Sequence, residues 1–181
     1  MKTLKKLVLC AALAGCMAID AKAILITAGT TTPLATGNQT STSQILSIIQ
    51  SSPYNVGPEL YKMNVGDPSD VGSFASSYTT TFNSEASTFE ITYISGSAIV
   101  ANPAYLLVKD GKHSPAWYLF DISGWNGTDV LQGANFWPAE GAISHVAIYG
   151  TASVPDGGST IALLGSALVG VGALRRKLLK A

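Results

Sequence analysis

Between residues 24 and 153 the side chains able to do chemistry are two histidines, His113 and His145, many serines, and nine carboxylates. A serine-type hydrolase needs a nucleophile, a base and an acid that orients the base. The Gly-x-Ser-x-Gly elbow that often presents such a nucleophile is missing. His145 alternates with Ile143 and Ala147, which reads as a structural strand position, and His113 falls in the polar turn Lys109 to Ser114, which reads as a solvated loop. No catalytic residue is assigned on these grounds, and the chain is read as a non-enzyme. A zinc site would need spaced His or Cys ligands. Calcium could be held by Asp67 and Asp70, or by Asp110, Asp121 and Asp129, in loops with backbone carbonyls, but no EF-hand spacing supports it. The expectation is therefore no metal and no cofactor. Aromatic residues offer a binding chemistry instead: Trp117, Tyr118, Trp125, Phe136 and Trp137 lie close together, and Trp125, between Gly124 and Asn126 in a turn, is the candidate for stacking on a sugar. One of the three tryptophans is expected to be exposed, although large aromatic residues more commonly fill cores.

A different chemistry is written at the C-terminus, where Val154, Pro155, Asp156, Gly157, Gly158, Ser159 and Thr160 form a peptide suited to being a substrate. Pro155 fixes its own φ and pushes Val154 toward extended backbone. The following Asp-Gly-Gly does not propagate a helix, so the motif fits a processing enzyme that takes its substrate as an added strand. From Thr160 to Leu174 there is no charge, and at ~1.5 Å per residue that run makes a helix of roughly 22 Å. A span usually takes about 20 residues. Ser159 and Thr160 extend it to 159–174, and Arg175, Arg176 and Lys177, with Lys180 beyond, anchor it at the head groups as a stop signal. Ala162, Ser166 and Gly170 line one helix face, the small-residue pattern of closely approaching membrane helices.

The N-terminus has the matching logic. Lys2, Lys5 and Lys6 precede the apolar Leu7 to Gly15, and Ala21-Lys22-Ala23 fits a small-x-small cleavage site, so residues 1–23 read as a secretory signal peptide removed after Ala23. A competing reading at Leu13 to Cys16 is a lipoprotein signal with Cys16 lipidated. Basic residues flank both apolar segments on the side that stays cytoplasmic, which puts everything between them outside.

With these segments removed, the body carries Lys62, Lys109 and Lys112 against Glu59, Asp67, Asp70, Glu85, Glu90, Asp110, Asp121, Asp129 and Glu140, three minus nine, or a net charge of −6. Nucleic acid is excluded as a partner, because phosphate contacts need clustered Lys and Arg. Both cysteines, Cys10 and Cys16, lie in the leader, so the body must be held by packing alone. Residues 24–153 are the size of one domain. Ser41 with Gln44 resembles a capping box, and Ile45, Leu46, Ile48 and Ile49 ahead of Pro53 suit one short helix. Ser73 to Phe82, Thr88 to Ile94, Tyr105 to Lys109, Trp117 to Ile122 and Ala142 to Tyr149 read as strands, with Phe89, Ile91 and Tyr93 on the buried face of a half-solvated one. Thr30 to Ser43 reads as a loop or edge segment. The expected fold is mainly β, a single antiparallel β-sandwich with a jelly-roll-like arrangement and one short helix, between an N-terminal signal helix and a C-terminal transmembrane helix.

The tail, VPDGGST followed by Leu163-Leu164-Gly165 and Leu174-Arg175-Arg176-Lys177, resembles the PEP-CTERM class of bacterial sorting signals, and within it the VPDSG-type variant. Gly157 stands where that variant has Ser. Stretches of the body, such as Tyr105 to Gly111 and Gly141 to Tyr149, are similar to those of other small proteins with this tail. The resemblance implies an exported protein recognised in the membrane by an exosortase. It would be anchored first in the inner membrane and then released to the periplasm, outer surface or extracellular matrix, with an association with biofilm or extracellular polysaccharide. A carbohydrate-binding module delivered by the same route is the alternative function, and an exported hydrolase or a lipoprotein are further ones.

Overall fold

The computed structural model describes residues 23–110, 112–137, 142–152 and 165–166. The described body is mainly β, with nine strands in two sheets and one helix. The strands are β1 (Ala23–Thr27), β2 (Ala35–Gly37), β3 (Glu59–Asn64), β4 (Tyr78–Phe82), β5 (Phe89–Tyr93), β6 (Ala101–Lys109), β7 (Trp117–Asp121), β8 (Val130–Ala134) and β9 (His145–Ala152), and α1 is Thr42–Ile49. The four-stranded sheet has the order β1-β8-β5-β4 and the five-stranded sheet β2-β7-β6-β9-β3. Every pair is antiparallel except β1 with β8, which runs parallel from Ala23 opposite Val130 to Thr27 opposite Ala134. The all-antiparallel expectation is corrected at that edge. The physical reason is that β1 and β8 are far apart in sequence, so no tight turn dictates their relative direction.

One apolar core lies between the sheets. Ile26, Tyr78, Phe89, Ile91 and Leu131 come from the smaller sheet, and Leu60, Tyr61, Leu106, Val108, Phe120, Val146 and Ile148 from the larger. A second core covers the other face of the larger sheet, where Ile45 and Ile49 of α1 pack on Tyr105, Leu107, Trp117, Leu119, Ala147 and Tyr149. Being covered twice explains the long apolar runs in β6 and β9, since strands buried on both faces need no polar alternation. In β5 the alternation is present as expected: Phe89 and Ile91 are buried while Glu90 and Thr92 are half-buried. Gly133 of β8 lies opposite Phe89, whose ring occupies the place where a Cβ would be, so only glycine lets that ring lie flat on the strand.

Two local expectations change, and the reading of the Thr-rich segment as a loop or edge segment holds. Ser41 has the extended backbone of an N-cap, but its hydroxyl bonds Ser43 Oγ at 2.8 Å and makes no cap bond, so the capping box is not formed. Residues 75–77 form a 3-10 turn, and the strand begins only at Tyr78. The Thr-rich segment contains β2, held on β7 by the pairs Ala35–Leu119 and Gly37–Trp117. Among the described residues no helix is long and apolar enough to cross a membrane. The expected signal helix, apart from Ala23, and the expected transmembrane segment, apart from Gly165 and Ser166, lie outside them; Gly165 and Ser166 are helical and exposed.

Candidate functional site

The chain leaves the body through β9, an inner strand between β6 and β3, whose last residue Ala152 pairs with Ala101. Val154 to Thr160 and Arg175 to Lys177 lie outside the described residues, as does Ala21. Ala23 is the first residue of β1 and pairs with Val130.

Trp125 is not the surface platform expected of it. It is 5% exposed, its indole N–H donates to Asp129 O at 2.7 Å, and its ring lies 5.7 Å from that of Tyr78. Trp117 and Trp137 are buried as well, so no tryptophan is exposed. The turn folds under the sheet because burying an indole of this size outweighs the turn residues' preference for solvent once its one N–H has a partner.

The carboxylates also stand apart from one another. Asp67 accepts from Asn64, Asp70 from the Tyr61 hydroxyl, Asp121 from Ser123, and Asp110 pairs with His113. Among the described residues no three of His, Cys, Asp and Glu come together as a metal site would need. His113 lies in the loop expected of it but is half-buried and pairs with the buried Asp110, which corrects its reading as solvated. The turn closes on itself because a carboxylate left alone at that depth would be costly.

His145 is the strand residue that the alternation indicates, but its surroundings were not legible in sequence. It lies opposite Lys109 of β6 and Asn64 of β3, with Lys62 two residues from Asn64 on the same face. Its ring is 5% exposed and Nε2 has no hydrogen-bond partner. Burial first, then Lys62 and Lys109, push its pKa from 6.5 down to about 3. Lys109 is itself buried, donates to Asp110 O at 2.9 Å, and has its pKa lowered by burial. The Ser144 hydroxyl shares that same Asp110 carbonyl at 2.7 Å. No sequence signal pointed to this cluster, because the segment that carries Lys62 does not read as a strand.

The neutral His145 makes stability depend on acid. Its folded pKa of about 3 lies below the ordinary 6.5, so the unfolded chain takes up its proton first. The contribution is complete above about pH 6.5 and is lost toward pH 3, by at most about 1.4 kcal/mol per pH unit. Replacing His145 by Gln removes that slope. Urea midpoints of both proteins across this range check it, and parallel curves would contradict the burial of a neutral imidazole.

A shallow groove of about 400 Å³ crosses the uncovered face of the smaller sheet, lined by Leu25, Thr81, Glu90 and Gln132 among others. These four occupy one row across β1, β8, β5 and β4, and Gln132 donates to Glu90 at 2.8 Å. Leu25 is 59% exposed there. Nothing in the sequence distinguished this row, because it depends on which strands are neighbours.

Residues 153–178 match the family model described as the VPDSG-CTERM motif. The chain thus carries a C-terminal sorting signal of the kind exosortases process, which marks an exported protein, and the match opens directly after β9. No curated protein and no solved structure matches the chain.

Proposed function

We propose that this is a non-enzymatic exported protein, a component of the cell surface, biofilm or extracellular matrix, which an exosortase sorts and processes through Val154 to Thr160. The sorting-signal match at residues 153–178 carries this reading. In it, residues 1–23 are the cleaved leader, 159–174 cross the inner membrane, and Arg175, Arg176 and Lys177 hold the cytoplasmic side. The two sheets are read as a β-sandwich, jelly-roll-like in that β1 and β2 lie beside β8 and β7.

The geometry of the chain ends supports the reading. Ala23 pairs with Val130 at the start of β8, and Ala152 pairs with Ala101 at the start of β6. Those two strand starts are neighbours, since the Tyr78 hydroxyl accepts from Ile99 N at 2.6 Å and donates to Gly127 O at 2.8 Å. Both ends therefore leave the same end of the body, and two apolar segments can enter one bilayer without the chain wrapping around the domain. Cleavage after Ala23 removes one β1–β8 pair and leaves Ile24 to Thr27 on β8. The occupied His113 and the buried His145 are in keeping with a body that does no chemistry.

Intact mass and peptide mapping of the protein from its native host test this, beside a variant with Val154 to Gly158 replaced by alanine. The expected native form begins at Ile24 and ends within the motif, while the variant keeps its tail and stays in the membrane fraction. A tail retained in both forms would make this a membrane-anchored domain and end the processing reading.

A further inference from the structure

A body with a net charge of −6 places two of its three lysines around one buried imidazole. Lys62 and Asn64 on β3, His145 on β9 and Lys109 on β6 occupy one face of the larger sheet, where β9 begins and β6 ends. Lys62, Asn64 and Ser144 are half-buried, and Lys109 and His145 are buried. Among the described residues neither lysine has a carboxylate within 4.0 Å. Asp110, the acid next to Lys109, is committed to His113, and Asp67 in the turn after β3 is held by Asn64. Burial disfavours charge on Lys109, with the nearby Asp110 opposing that effect and Lys62 adding a smaller repulsion, and both lysines disfavour charge on the imidazole between them, while His145 Nε2 remains buried without a partner. Left to itself this arrangement is unfavourable on three counts, because the lysines oppose charge on the imidazole, Lys109 is desolvated by burial, and a buried polar atom lacks its hydrogen bond.

We propose that Lys62, Lys109 and His145 form a binding site for an oxyanion, a sulfate, phosphate or carboxylate group. Such a group has lone pairs enough to accept from both ammonium groups and from a protonated Nε2 together, which are charge-assisted hydrogen bonds. It neutralises the repulsion and makes the imidazolium favourable. The site is independent of the sorting signal and would furnish the exported body with a ligand of its own, either a free inorganic anion or the uronate of an acidic polysaccharide.

The test uses the exported protein purified from its host with labelled histidine, whose only two imidazoles, His113 and His145, give separate resonances. Adding sulfate at constant ionic strength should shift the His145 signals saturably and raise its titration midpoint by about one unit, because a bound anion favours the charged ring. Lys62→Gln should weaken the apparent affinity about tenfold, since it removes one charge-assisted bond while the half-buried position keeps its strand pairing. Lys62→Arg should largely restore it, which separates loss of charge from loss of fold. Glucuronate in place of sulfate distinguishes the sources: a response to both admits polysaccharide carboxylates, and a response to sulfate alone assigns the site to inorganic anions. No saturable shift with either probe, an equal shift with chloride, or undiminished binding in Lys62→Gln would overturn the proposal.

Discussion

Replacing Trp125 by alanine is expected to remove about 3–5 kcal/mol of stability. Whole domains have only about 5–15 kcal/mol, so the variant should lose a large share of its stability. The ring is 5% exposed and packs on Tyr78. Its loss leaves a cavity and also strips Asp129 O of the indole donor that now reaches it at 2.7 Å. Trp125→Phe, which keeps most of the volume but not the N–H, should lose less, on the order of 1–3 kcal/mol. Urea denaturation followed by circular dichroism measures both. The same pair of variants decides the fate of the sugar-stacking idea: a surface platform would lose binding with an unchanged midpoint, and a core residue loses the midpoint itself.

Gly127→Ala should cost nearly as much, about 2–4 kcal/mol from backbone strain and overpacking together. Gly127 has φ +80, in the left-handed region that side chains disfavour, and an added Cβ would lie 2.1 Å from Ile99 O. The obstacle is backbone rather than a flexible side chain, so it cannot move aside cheaply. The hydroxyl of Tyr78 bridges the same two segments, and burial pushes its pKa up to about 12, which keeps it protonated as a donor to Gly127 O. Gly124→Ala is the control: nothing lies within 4 Å of its added Cβ, and the expected change is within about 0.5 kcal/mol. Equal midpoints for the two alanine variants would contradict the close approach of Gly127 to Ile99. Trp125→Ala and Gly127→Ala share Tyr78 as a neighbour, so their effects should not add.

Both variants act at the end of the body from which the chain ends depart. Tyr78 belongs to the smaller sheet and Ile99 leads into the larger, so the bridge through Tyr78 ties the sheets together beside the exit of β9. Tyr61 extends the aromatic cluster there, its ring 5.5 Å from that of Tyr78. Its hydroxyl donates to Asp70 at 2.5 Å and so must accept from Thr80 at 2.6 Å. An exported body without disulfides depends on such packed, fully partnered clusters for its cohesion.

By itself the sequence determined the sorting signal, the single helix and five of the strands. A signal is read by its enzyme as a linear peptide, so Val154 to Thr160, the uncharged run behind it and Arg175 to Lys177 carry their meaning in order and type alone. The helix was legible because Ile45 and Ile49 are one turn apart, and β5 because Phe89, Ile91 and Tyr93 alternate with polar residues. The other four strands were not. β1 reads as a continuation of the leader, β2 has three residues, β3 loses its alternation at the irregularity between Glu59 and Tyr61, and β8 is interrupted by Gly133. What each lacks in pattern is supplied by a partner: β8 holds β1, β7 holds β2 and β9 holds β3. Tertiary structure alone also decided that Trp125 is core and that Lys62, Lys109 and His145 meet. Local pattern records which face of a strand a residue takes. Which residues then share that face depends on pairing between segments distant in the chain, and that is settled by the burial of the whole core.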